Sequence, residues 1–413
     1  MKKTIYVLCL FMLLAACGKD KKGPYFTLEV EEANDIDFSS AVLKARITKA
    51  NDSIFDYGFT WANSPHPTYY SQQVIHNGVS NSILSFTNSL TSLGPGATFY
   101  FRAFVVGPHG IEYSDEKTFT TANAVWSKDV DFAGNGRMLG VAFTIGNKGY
   151  MGLGMGTGNE LMNDIWEYDF GTKVWTKKAD YPGDARIGAV AFTIGNKGYV
   201  GTGLTQTYNS TGEFYEYDPA SDTWTKKANY LGGDLAYGVG FSIGDKGYVG
   251  VGTRVSMGQY ATDFYEYSAI DDKWTRMPDY PGTPGDRAFS FSIGDNGYIG
   301  GGQAATGYPN NFWEFSSATK NWTRKANYGG SGSVYSTGFS LSKYGFVCTG
   351  RAGGKVTFRY SSFSDEWTPT VDFAGSAREG ASSFVINNKA FVGLGSSGSV
   401  FPSDMWMLSI ESN

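Results

Sequence analysis

The chain has 413 residues, 16% of them aromatic, with 55 glycines and 13 prolines. Its 34 basic and 39 acidic residues give a net charge of −5, which disfavours a nucleic-acid partner, since that needs a basic surface. Of the three cysteines, Cys9 and Cys17 lie at the extreme N-terminus, so a framework of internal disulfides is excluded.

Residues 1–16 read as a targeting segment. Lys2 and Lys3 form a charged start, and the apolar run at 5–16 is too short for a bilayer, which takes about 20 residues. The run ends in Leu14-Ala15-Ala16-Cys17, which resembles a bacterial lipobox. The resemblance implies cleavage before Cys17, lipidation of Cys17 and a lipid anchor in the outer membrane of a bacterial cell envelope. Residues 17–24 are then a polar tether. Loss of Lys2 and Lys3 takes the net charge from −5 to −7.

Residues 25–121 have a different texture. Alternating runs at 41–47, 58–61 and 98–105 predict the strands of an all-β sandwich. The stretches YGFTWANSPHPT at 57–68 and LTSLGPGATFYFRAFVVGPHGIEYSDEKTFTT at 90–121 resemble fibronectin type III domains of Bacteroidetes surface proteins. Phe99 stands where that family has its corner tyrosine, so the tyrosine's hydroxyl bond is missing. His66, His76 and His109 match no zinc spacing and have no cysteine partner. They read as solvated loop histidines, and nothing calls for a metal or cofactor.

Residues 122–413 repeat. The phrase FTIGNKGYVGTG at 192–203 recurs at 143–154, 241–252 and 291–302, with weaker copies at 339–350 and 384–395. Each is an apolar strand, a Gly/Asn turn and a second strand ending in glycines. Trp126, Trp175, Trp224, Trp274, Trp322 and Trp367 step at 49, 49, 50, 48 and 45 residues, in time with the phrase. A period near 50 marks a propeller or solenoid, and four short strands per period match a propeller blade. The chain enters with an outer strand around Trp126 and ends with three inner ones. The first strand should therefore complete the sixth copy and remove an exposed edge.

Two sets of positions resemble the kelch family. Glycines close the second strand at 152 and 154, 201 and 203, 250 and 252, and 300–302; a Tyr precedes the blade Trp by seven at 168, 217, 267 and 360. The glycines depart from the family in being mostly Gly-x-Gly rather than adjacent. The resemblance implies a six-bladed kelch-type β-propeller. Small residues would let neighbouring blades approach, and aromatics would fill the wedges between them. Phe132, Tyr181, Tyr230, Tyr280, Tyr328 and Phe373, six after each Trp, are expected to pack blades. Cys348 takes a strand position that is Gly in the other copies and reads as a buried inert thiol.

Function is expected on the face where the second-to-third-strand loops and the inter-repeat loops emerge. The former differ among copies: MGTGNELMND at 155–164, LTQTYNSTGE at 204–213, TRVSMGQYATD at 253–263 and QAATGYPNN at 303–311. Arg137, Arg186, Arg287 and Arg378 each precede a first strand; in kelch domains arginines at similar positions ring the channel mouth and bind acidic groups. Arg254 and Arg351 reach the same face from the second strand. Guanidinium groups suit carboxylates or sulfates; the competing reading pairs them with loop acids such as Asp184 and Asp286. Tyr208, Tyr260, Tyr308 and Phe401 fall off the repeat and are candidates for stacking on a sugar or gripping a peptide.

The repeats contain no histidine, which argues against a galactose-oxidase-like copper site and a histidine triad. No phosphate loop is present. The expected function is non-catalytic binding of a glycan or protein. An Arg/Glu-based sugar mutarotase, as in sialic-acid kelch proteins, is the enzymatic alternative, and a structural spacer is the third.

Overall fold

The computed structural model describes residues 24–80, 82–330, 333–351 and 354–411. Cys17 and the lipobox lie outside them. The described chain forms two units that part between Asn123 and Ala124.

In the first unit two antiparallel sheets share one core. One joins Phe26–Val30, Ala41–Ala50 and Ser85–Leu90. The other joins Val74–His76, Asp56–Ala62, Thr98–Gly107 and Gly110–Tyr113, with Lys117–Thr120 paired to Thr98–Gly107. Alternation puts Ala41, Leu43, Ala45 and Ile47 inside, against Phe59, Phe86, Phe101 and Phe119. Phe99 is buried and stacks on Phe119 at 5.4 Å. Each histidine meets its own carboxylate: His66 with Glu116, His76 with Asp56 and His109 with Asp52.

The second unit is built from six four-stranded antiparallel sheets. Their first strands are Val141–Ile145, Val190–Ile194, Val239–Ile243, Phe289–Ile293, Thr337–Leu341 and Ser382–Ile386. These neighbour one another in order, and the last returns to the first. Five sheets take all four strands from consecutive chain. The sixth takes its outer strand from Asn123–Lys128, paired beside Met405–Glu411.

Packing between sheets follows from two residue types on the repeat. The first-strand phenylalanine of one sheet lies on a glycine of the next: a Cβ on Gly198 would sit 2.3 Å from Phe143, and one on Gly247 2.2 Å from Phe192. Phe384 of the last sheet covers Gly149 of the first in the same way. Further out, Tyr181 meets Trp224 edge-on at 5.4 Å, and Phe132, Tyr230, Tyr280, Tyr328 and Phe373 do the same to their tryptophans. The Trp224 Nε1–H then donates to the Ala179 carbonyl of the preceding repeat at 3.0 Å. Cys348 is fully buried, and burial pushes its thiol pKa up, away from thiolate chemistry.

One loop differs from expectation. The stretch 253–263 is mostly not loop: Lys246–Arg254 and Gln259–Ser268 extend as a hairpin, pairing Thr253 with Tyr260 and Arg254 with Gln259. Gly258 makes the reversal at φ +62°.

Candidate functional site

The six arginine candidates fall into different environments. Arg137, Arg186 and Arg378 are 0%, 0% and 3% exposed, so no ligand on the face reaches them. Each guanidinium is consumed internally. Arg378 holds Asp404 through two bonds at 2.6 and 2.9 Å and donates to the carbonyls of Leu394 and Ser376. Arg137 pairs likewise with both oxygens of Asp164, and Arg186 reaches Glu213 at 3.5 Å. The flat groups also lie over Phe132, Tyr181 and Phe373 at 4.9–5.1 Å. Burial raises the pKa of Asp164 and Asp404, but the arginine hydrogen bonds and charge, with the Nε1–H bonds of Trp166 and Trp406, more than offset it, and both end below the usual carboxylate value. The same slot in the third repeat is filled from elsewhere: Arg254, from the extended second strand, pairs with Asp263 and the Gly232 carbonyl. Arg137, Arg186 and Arg378 are part of the frame, which corrects their assignment to ligand contact; Arg254 takes up the same kind of pairing with its side chain 22% exposed. Their partners are acids at the head of the third strand rather than Asp184, which offers only its carbonyl to Arg186.

Arg287 is not their counterpart. Counted on the repeat, Arg137 and Arg186 correspond to Leu235, Gly285, Ser333 and Arg378; Arg287 stands two residues later. Its true equivalents are Leu139, Gly188, Tyr237, Tyr335 and Gly380. All six have positive φ, between 55° and 64°. Their backbones close a ring: each N–H donates to the carbonyl of the preceding member, from Leu139 onto Gly380 (2.9 Å) round to Gly380 onto Tyr335 (2.9 Å). Left-handed backbone costs a non-glycine residue roughly 1–3 kcal/mol. Here it turns the peptide so that ring bond and first strand both form.

The ring encircles a depression of about 120 Å³. Half of it carries Tyr237, Arg287 and Tyr335; the other half has Leu139 and two glycines. The Arg287 guanidinium lies between the two tyrosines, 4.1 Å from the Tyr237 ring centre and 5.1 Å from that of Tyr335. Its Nε–H donates to Tyr335 Oη at 2.6 Å, and Nη1 pairs with Asp286. Asp286, only 2% exposed, also accepts from Thr253 Oγ1 at 2.5 Å. Arg287 itself is 20% exposed, so part of the group remains open to the depression. Burial raises its neighbour Tyr237's pKa, against the opposing pull of Arg287. Beside them Arg351 lies 5.1 Å from the other tyrosine, Tyr335, and chelates Glu379 at 2.7 and 3.3 Å. Tyr208 and Tyr308 are exposed on the loops, whereas Tyr260 lies half-buried on the extended hairpin. The structure thus brings Arg287 and Arg351 together, and adds Tyr237 and Tyr335. Sequence reasoning missed those two; their shared phase with Arg287 was the available signal.

Six four-stranded antiparallel sheets with cyclic first strands fit a β-propeller, here one with a cation–aromatic cluster at its axis. Among solved structures the chain is similar to the one titled "Structure of YjhT", a kelch-type β-propeller, at 15% sequence identity and a TM-score of 0.59. The match covers 69% of this chain and 99% of that one, and speaks to the fold alone. No family model matches the chain, and the search of curated proteins returned no match.

Proposed function

We propose that this chain is an envelope lipoprotein anchored through Cys17, with a fibronectin type III-like sandwich followed by a six-bladed kelch-type propeller. The propeller is a non-catalytic binding module that holds a glycan or protein on its loop face. The charged start, short apolar core and Leu-Ala-Ala-Cys ending support the anchor. The six sheets and their shared tryptophan beat support the blades.

The observation that carries the binding reading is Arg287. Arg137, Arg186 and Arg378 are enclosed, whereas this one is held flat between Tyr237 and Tyr335 and opens to the axial depression, which Arg254 does not line. A guanidinium fixed this way presents donors in a set plane at little entropic cost. The carboxylate beside it, Asp286, is buried: its Oδ2 accepts from Thr253 and Arg287, which suits a role in positioning the guanidinium, and its Oδ1 has no hydrogen-bond partner among the described residues.

The full chain in detergent, screened on a glycan array and in pull-downs from envelope extracts, should retain a saturable partner. Arg287→Lys keeps a charge beside Asp286 but loses the planar fork, and should weaken retention about tenfold or more. Unchanged retention would move the site elsewhere. Exchange of sugar anomers seen by NMR would replace binding with mutarotation. Cys17→Ser should shift the protein out of the membrane fraction and remove the acyl mass.

A further inference from the structure

The first strands carry a second pattern. Along each, buried residues facing a neighbouring sheet alternate with half-buried ones facing the axis. Near the first-to-second-strand turns the axial positions are Thr144, Thr193, Ser242, Ser292, Ser340 and Val385, one per repeat. They line a cavity of about 310 Å³ whose lining includes no charged residue. That volume lies at the small end of small-molecule sites. Its lining shares no residue with the loop-face depression, and the ring of six peptides encircles the axis at that other end.

The six positions are not alike. Thr144 donates to the Val385 carbonyl at 2.9 Å and Thr193 to the Thr144 carbonyl at 2.8 Å, so both hydroxyls are engaged. Val385 has none. Ser242, Ser292 and Ser340, in three consecutive repeats, make no side-chain hydrogen bond to the described residues. One arc of the wall therefore offers methyl groups and the other three open hydroxyls. An ionic ligand would lose hydration here and meet no counter-charge. A wholly apolar one would leave the serines unpaired. A ring with C–H groups on one side and hydroxyls on the other matches both arcs.

We propose that this turn-end cavity is a second binding site, for a small neutral polyhydroxylated molecule of the size of one sugar ring or cyclic polyol. It is independent of the loop-face site. The full chain in detergent would be titrated with D-glucose, D-galactose and myo-inositol, and with D-glucuronate as the charged control, by saturation-transfer NMR. At least one neutral probe should bind saturably and glucuronate should not. Arg287→Lys should leave this binding unchanged. Replacing Ser242, Ser292 and Ser340 together by alanine should weaken it at least about tenfold, the loss expected for removing up to three neutral hydrogen bonds, with the melting temperature unchanged. If that triple variant melts early, Ser292→Ala alone should still weaken binding by a measurable factor. Absence of saturable binding by all three neutral probes, equal binding of glucuronate, or full binding by a folded serine variant would overturn the proposal.

Discussion

Arg137 and Arg287 have the same side chain, and burial separates their roles. Arg137 is wholly enclosed with Asp164, so Arg137→Ala strands a largely buried carboxylate and should cost about 3–5 kcal/mol, measurable by denaturant titration. Arg287→Lys should leave the midpoint near wild type, because a cation stays beside Asp286. Equal destabilisation by both would make Arg287 another frame residue. The pH dependence follows from Asp164 and Asp404, whose folded pKa values are lowered by Arg137 and Arg378. A depressed folded value means their stabilisation is complete above the unfolded value, about 4, and is lost as pH falls through the lower folded one. Unfolding should therefore set in below about pH 4, and Asp404→Asn should flatten that acid limb. An unchanged acid limb in the variant would assign the transition to other carboxylates. The register of these arginines was legible: stepping 49, 49, 50, 48 and 45 from Arg137 lands on Leu235, Gly285 and Ser333, and never on Arg287. What a one-dimensional count could not reveal is Arg254 entering the third slot from a different strand, because that depends on where an extended hairpin bends in space.

At the scale of strands and sheets, local pattern was the reliable guide. The aromatic spacing, the glycines and the hairpin turns all reflect contacts one repeat away, so they recur wherever the contact recurs. The Phe143–Gly198 contact is such a case, with room for a hydrogen and little else. Gly198→Leu should overpack it and cost about 1–3 kcal/mol, seen as a lower thermal midpoint with the far-UV spectrum retained. The sixth copy has Ala390 at this position, so Gly198→Ala should be milder; equal losses would point to backbone conformation instead of space as the constraint. Loop structure was less legible. The 253–263 segment looked like its neighbours by composition, yet its hairpin depends on strand pairing that continues past the Gly250/Gly252 irregularity and on a reversal at Gly258.

At the scale of the second unit, closure depends on a strand that arrives first in the sequence and pairs last in the ring. Asn123–Lys128 covers the outer side of Met405–Glu411, and the Trp126 Nε1–H donates to the Val371 carbonyl at 3.3 Å. Trp126 is only half-buried, so Trp126→Ala should cost less than the 3–5 kcal/mol of a fully enclosed ring. The strand as a whole matters more. Without it, the last sheet keeps three strands and exposes the backbone donors and acceptors of Met405–Glu411, an edge on which another molecule can pair. Breaking the strand without shortening the chain is the cleaner perturbation: Val125→Pro with Ser127→Pro removes ladder donors and disfavours pairing. That variant should melt several degrees lower, since a loss of a few kcal/mol moves the midpoint by that much in a unit of this size. It should also self-associate in light scattering while the wild type does not. If the double-proline chain melts with the wild type and scatters no more strongly, the ring is held by the first-strand contacts and the peptide circle at its axis, and the terminal strand is only laid against it.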